Sequence, residues 1–131
     1  MNSDLLITLK ALPTDPSRAV DLYLQLYAAS FVVPVQAGSE ADLGKAMFLI
    51  YPSPDRIQEL PIFTSRDYVL KNLPDDVVFV TAAGAVLWPR LLDVIRTASG
   101  CQVAVDPGQR HGIRLTDGMI LGMISSYERY D

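Results

Sequence analysis

Apolar positions along the chain fall into runs whose spacing predicts alternating helices and strands. Ala19, Val20, Tyr23, Leu24 and Tyr27 recur at three- and four-residue intervals, the repeat of a single helix face. Asp15-Pro16 ahead of them has the form of an N-cap followed by proline at the first helical position, so a helix is predicted over 16–29. The β-branched run Phe31-Val32-Val33-Pro34-Val35 follows. Its proline lacks the N–H that a ladder needs, which predicts an edge strand. The apolar runs Lys45 to Tyr51 and Leu60 to Thr64 predict two more strands, joined by a loop that begins Pro52-Ser53-Pro54-Asp55.

Thr64-Ser65-Arg66-Asp67 has the hydroxyl-x-x-acid spacing of a capping box, and Tyr68, Val69 and Leu73 continue a helical stripe behind it. Val77-Val78-Phe79-Val80 is uninterrupted and apolar, the pattern of a central strand covered on both faces. Leu87, Leu91, Val94, Ile95 and Ala98 trace the next helix, with Pro89 placed in its first turn and Gly100 as a left-handed cap. Cys101, Val103 and Val105 alternate with Gln102 and Ala104, giving a half-buried strand that ends in the turn Asp106-Pro107-Gly108. His111 to Leu115 reads as a short strand, and Thr116 as the cap of a last helix carrying Met119, Ile120, Met123 and Ile124.

The chain has 131 residues, half of them apolar, with no internal repeat and no linker long enough to divide it. One α/β domain over 1–131 is predicted, its core at about 16–124: a mixed sheet of about five strands packed against three or four helices. Eleven Lys and Arg against fifteen Asp and Glu leave a formal charge of -4, which gives no general attraction to nucleic acid or to an acidic membrane. Asp4 stands where a secretory signal carries positive charge and Lys10 interrupts the apolar stretch behind it, so no signal peptide is expected. The longest uncharged runs are broken by proline, glycine or glutamine, so no membrane span is expected. With a single cysteine, the expected location is the cytoplasm.

Three segments, in order, resemble the SseB family, named for enhanced serine sensitivity, and specifically its N-terminal domain. They are the helix leading into Phe31-Val32-Val33-Pro34-Val35, the junction Leu60-Pro61-Ile62-Phe63-Thr64-Ser65, and Val103-Ala104-Val105-Asp106-Pro107-Gly108, where Asp106 stands at a position that is commonly asparagine. The resemblance implies a compact α/β domain of bacterial cytoplasmic proteins, with no established activity or cofactor. At this length a second, C-terminal domain of the SseB type is not expected.

Reactive groups are few. One histidine and one cysteine exclude an internal disulfide and argue against a Cys/His zinc site, so neither metal nor cofactor is expected. Gly38, Gly44, Gly84 and Gly100 form no phosphate-cradling motif. Cys101 alternates with core positions, Ser65 lacks a glycine-flanked elbow, and Asp75-Asp76 follow Pro74 at a turn; each has a structural use in place of a chemical one. His111 lies between Arg110 and Arg114 after a turn containing Asp106, which makes these four residues a candidate anion site, with an ordinary solvated hairpin as the alternative. Trp88 with Tyr23, Tyr27, Phe31 and Tyr68 fits either a recognition groove or the core. The helix around Met119, Ile120 and Met123 is apolar nearly all round, so it is either buried or a surface that a partner covers. The expected function is therefore a non-catalytic binding module that engages protein, a partner or another copy, through a sheet edge or this helix. The alternative is a small-molecule or anion sensor built on the 106–114 turn.

Overall fold

A computed structural model describes residues 3–12, 19–39, 41–53, 55–69, 77–98 and 100–130. Along these run α1 (Ser3–Ala11), α2 (Ala19–Ala28), β1 (Ser30–Gln36), β2 (Tyr51–Pro52), β3 (Gln58–Ile62), β4 (Val77–Ala83), α3 (Gly84–Thr97), β5 (Cys101–Val105), β6 (Ile113–Leu115) and α4 (Asp117–Tyr130). The strands form a sheet of order β2-β3-β5-β6 and a ribbon of β1 with β4. β3 and β5 run parallel and the other pairs antiparallel. The class is the predicted mixed α/β one, with six strands among the described residues against about five, and the two-residue β2 is what forms of the strand predicted over Lys45 to Tyr51. The predicted Asp15-Pro16 cap, Pro54, Leu73 and the Asp75-Asp76 pair lie outside the described residues.

Ribbon and sheet are joined. Val32 and Phe63 exchange two backbone hydrogen bonds of 2.8 and 2.9 Å, and Gln36 N donates to Met47 O at 2.8 Å. β1 is therefore not the edge that its proline predicts. Alternate N–H groups of a strand point the same way, so the donor that Pro34 lacks falls on the loosely bridged side, between those of Val32 and Gln36. The ladder from β1 to β4 stays intact. β4 in turn is not central: among the described residues it pairs with β1 alone, and Val77 to Val80 are only half-buried.

Two predicted elements are shorter than their patterns. The Lys45 to Tyr51 run is mostly irregular: it opens on the last residue of a 3₁₀ turn, Leu43–Lys45, where Asp42 accepts a 2.9 Å hydrogen bond from Gly44 N, and it meets β1 at an isolated bridge between Phe48 and Val35. The capping-box segment also gives one 3₁₀ turn, Arg66–Tyr68, capped by Ser65, whose Oγ accepts from Asp67 N at 3.1 Å. α1 was hidden by Lys10: Leu5 and Leu9, four residues apart, share one face and are buried.

The main core lies between the helices and the inner faces of the strands, where Phe31 and Trp88 meet edge to face at 5.5 Å. With Tyr27 also buried, these aromatics serve the core, not a groove. Trp88 Nε1 donates to Leu26 O at 2.9 Å and Gly84 N donates to Ala29 O at 2.7 Å, satisfying carbonyls at the end of α2. A Cβ at Gly84 would sit 2.5 Å from Tyr27 O and 2.7 Å from Leu26 O, so only glycine permits this approach. It also starts α3 early enough to put Pro89 in the second turn, beyond the first turn where the pattern places it. Gly100 is left-handed as predicted, with φ +78°.

Candidate functional site

The carboxyl ends of the parallel strands β3 and β5 deliver Thr64 and Asp106 side by side, and Asp106 N donates to Ile62 O at 2.9 Å to continue the pairing. Asp106 has φ +50°, a left-handed conformation that Asp and Asn tolerate better than other side chains. The turn points its carboxylate inward, where it is fully buried. A buried charge is costly unless paired and hydrogen-bonded, and this one accepts three bonds. Thr64 N donates to Oδ1 at 2.8 Å, and Thr64 Oγ1 and His111 Nε2 each lie 2.7 Å from Oδ2.

His111 returns to Asp106 because the intervening turn is tight. Gly108 has φ +86°, and a Cβ at Gly112 would meet Asp106 O at 2.5 Å. Since a carboxylate only accepts, Nε2 carries the shared hydrogen. The Tyr68 ring, set by the Ser65-capped turn, stands edge-on to the imidazole with centroids 5.0 Å apart. The ring of His111 is thus fixed from two sides and its side chain is 5 % exposed.

Of the four residues read as an anion site, the fold unites Asp106 and His111 and separates Arg114. On β6, Ile113 pairs across from Val105 and Leu115 from Val103, so Arg114 projects to the opposite face. There its Nη1 lies 2.7 Å from Asp55 Oδ2 and 3.7 Å from Glu59 Oε1. The Ser53 hydroxyl and then Arg114 hold the Asp55 carboxyl down at about 2. Tyr51, on the same face as Glu59, is pushed up to about 12 by burial and by the Glu59 charge. Arg110 is exposed and lines a cavity on the His111 side together with Leu9 and Lys10.

The predicted interaction helix packs inward. Ile120 and Met123 are fully buried where α4 lies on α2 and α3, leaving Met119 at 38 % exposure as the one of the three that solvent reaches. Ile120 and Met123 therefore hold the core and offer no surface. Cys101 is buried, and its thiol is pushed up by that burial and by Glu59. Thr64 and Tyr68, which surround the Asp106–His111 pair, and Lys10, which lines the cavity with Arg110, are not among the residues that local spacing marks as a site. The four-residue interval between Leu5 and Leu9 was the available signal for Lys10.

Among the described residues, no group of three or more His, Cys, Asp or Glu could hold a metal ion, and no helix is long and apolar enough to cross a membrane. The family model of the SseB protein N-terminal domain matches residues 4–121. No curated protein and no solved structure matches the chain.

Proposed function

Since the chain belongs to the SseB protein N-terminal domain family, we propose that it is a non-catalytic interaction module that pairs through the outer edge of β4, with a second copy of itself as the occupant. It works in the cytoplasm, without a cofactor and without a nucleic-acid or membrane partner. One observation carries the reading. Val32 turns its backbone groups to Phe63, so its neighbour in register, Thr81, turns its own away from β1. By the alternation of the ladder, Val77, Phe79 and Thr81 present N–H and C=O groups outward. The strand Val-Val-Phe-Val-Thr-Ala-Ala contains none of the charges or prolines by which edges resist pairing.

A two-fold axis at Val80 suits this edge. It sets Phe79 opposite Thr81 of the second copy as hydrogen-bonded pairs, buries no charge, and builds a four-stranded sheet from two ribbons. The use of the reactive side chains supports the absence of catalysis: His111 is engaged by Asp106, Ser65 by Asp67 N, and Cys101 by the core.

Sedimentation velocity over a concentration series tests the proposal, alongside amide exchange at Val77, Phe79 and Thr81. A dimer that protects these three amides, and that Phe79→Lys and Thr81→Lys each dissociate while remaining folded, is the expected result. A monomer at every concentration up to about 100 μM, a range that reveals all but weak association, refutes it. So does a dimer whose three amides exchange as fast as in the monomer.

A further inference from the structure

On the face opposite Arg114's ion pairs, a cavity of about 440 Å³ opens between α1 and the turn after β5, lined by Leu9, Lys10, Arg110 and His111. Lys10 and Arg110 are exposed, and neither forms an ion pair with a described residue. Two cations without an acidic partner among the described residues, beside one concavity, stand out in a chain of charge -4. The polar atom between them is set in place. His111 spends Nε2 on the buried carboxylate, and Nδ1 has no hydrogen-bond partner among the described residues. With Nε2 held on Asp106 and Tyr68 against the ring, the His111 side of the cavity is rigid.

The volume lies within the range of small-molecule sites, about 300–1,000 Å³, and an inorganic anion would fill little of it. Among the described lining residues Leu9 is the aliphatic one, and the methylene stem of a lysine adds to such a surface. We propose that this cavity binds a small aliphatic carboxylate, its head group between Lys10 and Arg110 and its chain against Leu9. Guanidinium and ammonium groups suit a carboxylate, the first through paired N–H donors and the second as a point charge. Asp106 sets one negative charge behind the His111 ring, against the two cations of Lys10 and Arg110 at the cavity. Arg114 plays no part, being bound to Asp55 across the sheet.

The test is a titration of the full chain with octanoate, followed by amide shifts and calorimetry, with 1-octanol and inorganic phosphate in parallel. Octanoate is expected to give saturable shifts at residues 8–11 and 109–112. Octanol and phosphate are each expected to bind at least about tenfold more weakly, a difference well within calorimetric reach. Lys10→Glu with Arg110→Glu lowers octanoate affinity by at least about tenfold, whereas the charge-conserving pair Lys10→Arg with Arg110→Lys retains it within about threefold. Absence of saturable shifts up to about 10 mM octanoate, where even millimolar affinity would register, overturns the proposal. Equal binding by phosphate or by octanol overturns it too, as does undiminished affinity in the glutamate variant.

Discussion

Two regions of the molecule invert the usual relation between polarity and burial, in opposite directions. At the end of β5 a carboxylate is 0 % exposed; along β4, Val77 to Val80 are apolar and only half-buried. The first inversion is compensated within the chain, because Thr64 and His111 supply three donors to two oxygens. The second is uncompensated among the described residues, because outward backbone groups and apolar side chains lie along one edge. A satisfied polar group inside reports on stability. An unsatisfied apolar edge outside reports on what the protein meets.

Breaking the internal side of this contrast has the largest expected effect. Asp106→Ala strands the donors of Thr64 and His111 in the interior and lowers stability by about 3–5 kcal/mol, measured by denaturant unfolding; a loss below about 1 kcal/mol would mean that the carboxylate is not a staple. Thr64→Val removes one hydroxyl donor while keeping the backbone one, for a loss of about 1–2 kcal/mol in the same measurement. On the other side, Phe79→Lys shifts stability by less than about 1 kcal/mol, yet abolishes self-association. If its unfolding cost matches that of Asp106→Ala, β4 belongs to the core and the contrast fails.

Tyr51 sharpens the comparison, being partly buried and beside one acid. Its ionisation lies at about 12 in the folded protein against an ordinary 10. The unfolded chain therefore loses this proton first, and Tyr51's contribution is whole below pH 10 and disappears as the pH rises through 12. Glu59→Gln removes the charge that ranks after burial among the causes, and the phenol, followed by its ring resonances, moves part of the way back down. A titration unchanged in that variant would leave burial as the only cause.

The sequence disclosed most of the helices and the turn chemistry, because those depend on local spacing. The Thr116 cap is an example: Met119 N donates to its Oγ1 at 3.2 Å. What it withheld was set by distant contacts. An apolar run such as Val77 to Val80 reads the same whether a second strand covers it or nothing does. Pro34 signals an edge, yet only the position of Phe63 and Met47 decides which side of β1 lacks the donor. At the candidate site, the proximity of Asp106 and His111 was legible from their short separation. Thr64 lies 42 residues away, and its local spacing signals only the start of a helix. Arg114 was grouped with its neighbours in sequence, although strand alternation sends it to the other face.

β4 passes into α3 without an intervening residue, for Ala83 ends the one and Gly84 begins the other. Such a junction has no slack. Gly84 rests against the carbonyls of α2, and Trp88 grips Leu26 one turn further on. A displacement of β4 along its own axis therefore has no loop to absorb it before it reaches the packing of α3 on α2.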